Sequence, residues 1–264
     1  MKKLDKTATI LENSPCADGF YKMKFAIEEM PERFKPGQFF QMQLPNHILR
    51  RPFAPSEVTK DTITFVYQVV GSGTNDMAKL SVGTQVNVLG PLGNGFELPK
   101  SGDVFVVGGG CGMPSLLFLT TVLRKNNINV YAVSGARTRC ALLESEGFHK
   151  TAVSLLEATD DGTAGYHGNA VNALNHLYET VKHSLSSDVE IMACGPRKML
   201  EALSKWSSEH NFRCQVSLEE RMACGFGACM GCVVGIRSNE SNDDFKYERV
   251  CHEGPVFLSD RVIW

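Results

Sequence analysis

Along the first hundred positions, apolar residues fall in short alternating runs rather than at helical spacing. Asp61-Thr62-Ile63-Thr64-Phe65-Val66-Tyr67 switches between polar and apolar positions, as a strand with one buried face does. Segments of this kind, rich in Val, Ile, Thr, Phe and Tyr, cover 6–14, 19–27, 38–44, 61–70 and 84–89. Asp18-Gly19, Pro36-Gly37, Gly71-Ser72-Gly73 and Gly90-Pro91 punctuate them. Strands at this spacing predict a small antiparallel barrel or sandwich.

From about residue 102 the pattern changes. A continuous apolar run at 103–107 ends in Gly108-Gly109-Gly110, and a helical pattern follows at 115–124. Strands are then predicted at 129–133, 152–156 and 189–193, and helices at 140–147, 169–183 and 196–209. Strands alternating with helices predict βαβ units and a parallel sheet covered on both faces. Pro114 and Pro196 each suit a first helical turn, where proline forfeits no hydrogen bond. After Asn211 this rhythm stops. Residues 214–264 carry clustered cysteines, many small residues and little core, so this tail is predicted to fold around a metal or against the other domains. The polar stretch 239–244 reads as a solvated loop.

Composition narrows the class. The 264 residues are 43% hydrophobic and 21% charged, which suits two globular domains and excludes a disordered chain. The net charge is −2 and Lys and Arg are scattered, so neither nucleic-acid binding nor a basic membrane anchor is expected. Met1-Lys2-Lys3-Leu4-Asp5 opens no apolar run of signal-peptide length, and no membrane-spanning run occurs, so a cytoplasmic protein is expected. Nine cysteines without a secretory leader predict metal or redox chemistry in a reducing compartment rather than a disulfide framework.

The cysteine spacing is the most specific signal. Cys224-x4-Cys229-x2-Cys232 is followed, after eighteen residues, by Cys251. This is the plant-type [2Fe–2S] spacing. Gly225, Gly227, Ala228 and Gly231 leave room for the loop to wrap a compact anion with backbone N–H groups turned inward. A zinc site is the first competitor, although only Cys229 and Cys232 have zinc-ribbon spacing. Buried inert thiols are the plainer alternative.

Gly108-Gly109-Gly110-Cys111-Gly112-Met113 joins a buried strand to a helix, where backbone can approach a pyrophosphate. The usual dinucleotide fingerprint is absent, and the second strand ends in Ser134-Gly135-Ala136-Arg137 without a ribose-binding acid. Taken alone, the turn is equally consistent with tight packing. Cys194-Gly195-Pro196 and Thr159-Asp160-Asp161-Gly162 also follow strands, and ligands of open α/β sheets collect at such carboxyl ends. Cys194 has no base beside it in sequence, so positioning a ring suits it better than nucleophilic attack. In the barrel, Arg51-Pro52-Phe53-Ala54 offers a guanidinium for a pyrophosphate, and Gly71-Ser72-Gly73-Thr74 opens a short helix at 75–80. A surface arginine and an ordinary turn would look the same.

In their order, these motifs resemble the ferredoxin-NADP⁺ reductase superfamily. Ser217-Leu218-Glu219-Glu220-Arg221-Met222-Ala223-Cys224-Gly225, with Val250-Cys251 and Gly254-Pro255-Val256-Phe257, is similar to the electron-transfer subunits of dihydroorotate dehydrogenase B. The resemblance implies a β + α/β chain: an antiparallel Greek-key FAD barrel at 1–98, a parallel-sheet NAD-binding domain at 99–212 and a [2Fe–2S] lobe at 213–264. It implies that Arg51, Pro52, Phe53, Ala54, Val66, Tyr67, Gln68, Gly73 and Thr74 hold FAD. Gly109, Gly110, Cys111, Gly112, Met113, Asp161, Cys194 and Gly195 would line the NAD site, with Arg137 reaching the adenosine phosphates. Cys224, Cys229, Cys232 and Cys251 would hold iron. Ala54 departs from the Ser or Thr usual there, leaving backbone or Ser56 to meet the flavin. The implied partner is an FMN-containing dihydroorotate dehydrogenase catalytic subunit, in a heterotetramer of two copies of each chain. A self-contained NAD(P)H reductase serving another acceptor, and a zinc-stapled nucleotide-binding module, are the rival readings.

Overall fold

The alternating strands close on an aromatic core. The computed structural model describes residues 4–28, 34–238 and 245–264, so the loop expected at 239–244 lies outside the described residues. Strands β1 (Leu4–Ala17), β2 (Phe20–Ile27), β3 (Phe39–Gln43), β4 (Arg51–Phe53), β5 (Glu57–Val58), β6 (Thr62–Gln68) and β7 (Gln85–Leu92) form one antiparallel sheet, ordered β4-β3-β7-β1-β2-β6-β5. The Phe53 ring, on edge strand β4, stacks on Phe65 of β6 at a centroid distance of 4.7 Å, which draws the two ends of the sheet together. Phe40 meets Phe25 at 5.1 Å and Phe65 at 5.2 Å, both edge-on. Such pairs add about 0.5–1.5 kcal/mol each beyond the area they bury. The short helix α1 (Ser72–Met77) is tied down by Asn13, whose amide donates to the carbonyls of Met77 and Leu80.

The second sheet contains β8 (Asp103–Gly109), β9 (Asn129–Ala136), β10 (Ser154–Thr159), β11 (Tyr166–His167), β12 (Val189–Cys194) and β13 (Arg213–Ser217). Its order is β11-β10-β9-β8-β12-β13, all parallel. Every residue of β8 is buried because both faces are covered. Val104 and Val106 pack with Leu116, Leu119 and Leu123 of α2 (Gly112–Lys125), and α3 (Ser145–Thr151) lies on the same side. Phe105 and Val107 face Leu174 and Leu177 of α4 (Ala170–Val181) and Leu200 of α5 (Arg197–Glu209). The strand order reverses between β8 and β12, which opens a crevice at their carboxyl ends.

The structure departs from the sequence reading in several places. The helix expected at 140–147 is a 3₁₀ turn, Arg139–Ala141, followed by α3, because Glu144 between them is left-handed at φ 58°. Its carboxylate pairs with Lys22 at 2.8 Å. Pro196 is the residue before α5 rather than part of its first turn. The rhythm does not stop at Asn211, because β13 continues the parallel sheet. The tail then forms a hairpin, β14 (Val233–Arg237) with β15 (Phe245–Arg249), and returns as β16 (Val256–Leu258), antiparallel to β13. Its core is shared with that sheet: Val216, Leu218, Val234, Ile236 and Phe257 are buried together with Phe105 and Leu200.

Candidate functional site

A cleft of 490 Å³ lies where the barrel meets the parallel domain and the tail. Arg51, Pro52, Phe53 and Ala54 of one barrel edge and Val66, Tyr67 and Gln68 of β6 form one wall, and Thr74 lies at the same end. Two separate sequence motifs meet here. A Cβ on Gly73 would lie 2.6 Å from Arg51 Nε, so Gly73 itself sits beneath the guanidinium rather than on the cleft wall. The Arg51 guanidinium also donates to the Leu49 carbonyl. The Thr74 hydroxyl accepts from the backbone N–H of Val70 at 2.9 Å and of Gly71 at 3.2 Å, fixing the turn. Tyr67 donates to Asn13 at 2.9 Å, and burial raises its pKa. Ser56, a candidate stand-in for the hydroxyl missing at Ala54, is buried, donates to the Thr64 carbonyl at 3.3 Å and does not reach the cleft.

A second cleft, of 620 Å³, follows the crevice of the parallel sheet. Gly109, Gly110, Cys111, Gly112 and Gly195 line it, as do Arg137, Asp160 and Met199. The two turns touch: a Cβ on Gly112 would lie 2.3 Å from the Cys194 carbonyl oxygen. Three of the sequence candidates for this site lie elsewhere. Met113 is 1% exposed and packs under the turn against Gly108, and Asp161 spends its carboxylate on the Thr163 N–H and hydroxyl, at 3.0 and 2.7 Å. These hydrogen bonds also lower the Asp161 pKa. Cys194 lines the first cleft as a buried thiol pushed up to about 12 by desolvation, so it is no nucleophile at neutral pH.

The clefts join along a seam. Gln68, Cys111 and Glu219 line both. Sequence reasoning missed Glu219, which follows the buried end of β13 and opens its carboxyl into the cleft, where desolvation raises its pKa. The tail closes the far side of the first cleft with Leu218, Met222 and Pro255. Met222 is two positions from Cys224.

The four clustered cysteines fall in two pairs. Among the described residues no three His, Cys, Asp or Glu side chains gather round a single-ion site. Cys224 Sγ accepts the Cys229 N–H at 3.3 Å, and Cys232 shares a thiol hydrogen bond with Cys251. Desolvation works against a Cys224 thiolate but is outweighed by the backbone N–H groups of Cys229, Phe226 and Ala228, which lower its pKa to about 6. Cys251 is pushed up to about 12 by burial and by Cys232. A sulfide-bridged iron pair needs two thiolates on each iron, so two adjacent pairs with a ready thiolate fit that group. The frame around them is stiff. Arg249 donates to the Gly227 carbonyl and to Glu253, while the Asn94 amide of the barrel donates to the carbonyls of His252 at 3.2 Å and Glu253 at 3.0 Å.

Known proteins share this arrangement. Residues 219–263 match the family described as the iron-sulfur cluster binding domain of dihydroorotate dehydrogenase B. An NADH-dependent reduced ferredoxin-NADP oxidoreductase, solved in work on flavin-based electron bifurcation, superposes with a TM-score of 0.84. It is 25% identical, and the match covers 97% of this chain and 90% of that one. The ferredoxin NADP⁺ reductase of Neisseria gonorrhoeae, solved with bound FAD and NADP, shares the fold at a TM-score of 0.64 and 17% identity, over 77% of this chain and 90% of its own. Barrel, crevice and cysteine lobe thus define an oxidoreductase of the ferredoxin-NADP⁺ reductase type with an iron–sulfur domain. The electron transfer subunit of dihydroorotate dehydrogenase B (NAD(+)) from Caldanaerobacter subterraneus is 35% identical over 97% of this chain and 98% of its own length. Its counterpart from Fusobacterium nucleatum is 34% identical, over 96% of each. This chain belongs to the family of dihydroorotate dehydrogenase B electron transfer subunits.

Proposed function

We propose that this chain carries electrons between a dihydroorotate-oxidising subunit and NAD⁺, in the service of pyrimidine synthesis. The observation that carries the reading is the shared seam: one cleft borders both the crevice of the parallel sheet and the cysteine lobe. A flavin bound there exchanges electron pairs with a nicotinamide as hydride and single electrons with an iron–sulfur pair. Arg51 would neutralise the pyrophosphate of FAD, with Phe53, Ala54, Val66 and Tyr67 against the ring system. The glycine backbone at 109–112 would admit the NAD pyrophosphate, Arg137 would face its adenosine end, and Gly195 would let the nicotinamide approach. Cys224, Cys229, Cys232 and Cys251 would hold the irons. No general base is required, because the substrate carbon chemistry belongs to the partner.

The catalytic subunit would dock over the cysteine lobe, where Phe226 is 43% and Met230 59% exposed beside the cysteines. Two copies of each chain would make the complete enzyme. The cytoplasm suits nine free thiols, and no helix among the described residues is long and apolar enough to cross a membrane. The test is anaerobic co-expression with a dihydroorotate-oxidising subunit. The purified complex is expected to contain flavin, iron and acid-labile sulfide and to reduce NAD⁺ with dihydroorotate. A complex that holds all three yet passes electrons only to artificial acceptors overturns the assignment.

A further inference from the structure

Gln41 is the one side chain of β3 whose chemistry the barrel leaves unused. Its neighbours Phe40 and Met42 point into the barrel core, so Gln41 points outward, toward the tail. It is fully buried there, and neither Nε2 nor Oε1 has a hydrogen-bond partner. The amide lies against Gly225, where a Cβ would sit 1.9 Å from Nε2 and 2.2 Å from Cδ. Gly225 follows Cys224 directly and is left-handed at φ +71°, so the cysteine loop reaches the amide only because this residue has no side chain. Across the strand, Gln41 is paired with Pro52, which lines the first cleft. One residue therefore touches the cysteine loop and the wall of the flavin cleft.

A primary amide buried without partners is costly and uncommon in native proteins. The neighbouring β3 backbone pairs with β4 and β7. The loop side brings sulfur, which is a charged acceptor once cysteines bind iron. We propose that Gln41 is a positioning residue for the iron–sulfur site, donating an amide N–H to sulfur on the Cys224 side. This rests on the iron–sulfur reading above. The bond holds the lobe on the barrel and raises the reduction potential, because a donor stabilises the more negative, reduced cluster.

The test uses the complete chain, purified anaerobically with its partner, and compares wild type with Gln41→Met, which keeps length and burial but removes the donor. Redox titration followed by electron paramagnetic resonance is expected to show the variant cluster harder to reduce by about tenfold, or 59 mV for one electron, with the flavin potential unmoved. A second measurement needs no variant: glutamine labelled with ¹⁵N in the side-chain amide should give a nitrogen hyperfine coupling to the reduced cluster. A Gln41→Met protein with full iron and sulfide and an unmoved potential overturns the proposal, and so does the absence of that coupling. Wild-type protein lacking iron and sulfide overturns the iron–sulfur reading itself, and this inference with it.

Discussion

Cys111 Sγ, on the glycine turn of the parallel domain, lies 3.8 Å from Gln68 Oε1 at the end of barrel strand β6. The contact joins the two domains at the point where their clefts meet. Desolvation pushes the Cys111 thiol up to about 11, so at neutral pH it is a neutral donor to the amide. Redox chemistry at this seam would therefore depend on bound cofactors and on the one carboxyl that faces both clefts.

That carboxyl is Glu219. A carboxylate at the seam favours the cationic ring of NAD⁺ over the neutral ring of NADH. Glu219→Gln is expected to weaken NAD⁺ more than NADH, by on the order of tenfold in the ratio of affinities. Desolvation by the cleft walls raises the Glu219 pKa, so the charged form is lost at higher pH than for an ordinary carboxyl. Wild type should accordingly approach the variant's ratio as the pH falls, while the variant stays flat. Equilibrium titration of both nucleotides from pH 8 to pH 5 checks this.

Cys229→Ser removes one thiol of the pair built on Cys224. The cluster absorbance and its resonance signal should disappear. NADH should still reduce the flavin, because the crevice and first cleft contain no part of Cys229. Dihydroorotate-dependent reduction of NAD⁺ should fall to background. Loss of flavin reduction in a folded, flavin-loaded variant would contradict the proposed wiring.

Two glycines of the same turn should respond differently. At Gly112 an added Cβ would meet backbone atoms of Cys194 and Gly195 at 2.3–2.7 Å. Neither turn can yield without separating β8 from β12, so Gly112→Ala should cost about 1–3 kcal/mol and nucleotide affinity with it. Gly110 has nothing within 4 Å but is left-handed at φ +52°, so Gly110→Ala should cost only about 1 kcal/mol. Urea unfolding and nicotinamide titration on the two variants make the comparison.

Asp103 anchors the start of β8. It is 3% exposed and accepts the Ser186 N–H at 2.6 Å and the Asn129 amide at 3.0 Å. Desolvation raises its pKa, but these hydrogen bonds outweigh burial and leave it lowered. Its stabilising effect is complete above the ordinary carboxylate pKa and is lost as the pH falls through the lowered value. Asp103→Ala should cost about 2 kcal/mol at pH 7. In denaturant titrations the gap from wild type should narrow below about pH 4.

Much of this architecture could be read from the chain because period-two and period-3.6 patterns are local. Strand β13 could not, because buried Gln215 interrupts its apolar run. That amide is satisfied only in three dimensions, donating to the Glu97 carbonyl at 2.8 Å and accepting the Glu97 N–H at 2.9 Å. The helix expected at 140–147 is displaced to Ser145–Thr151 by the left-handed Glu144, whose partner Lys22 belongs to the barrel. At the site, spacing marked the cysteines and glycine turns. It did not mark Glu219, which sits in a charged run that looks solvated, nor Gln41, which looks like the exposed face of a strand. Both are placed by strand order and by the return of the tail. Asp161 and Met113 carried the right chemistry in the right turns, but one side chain folds onto Thr163 and the other into the core.

The cysteine lobe leaves the parallel sheet through β13 and comes back to it through β16, laid antiparallel along that same strand. It is therefore stitched to the nucleotide domain by both its entry and its exit, and the Arg197 guanidinium of α5, donating to the Ile263 carbonyl at 2.9 Å, adds a third stitch. Evolution or engineering cannot exchange it as a free-standing cassette. A graft onto another reductase must bring the sheet's last two strands along, or the recipient will be left with an open, adhesive border.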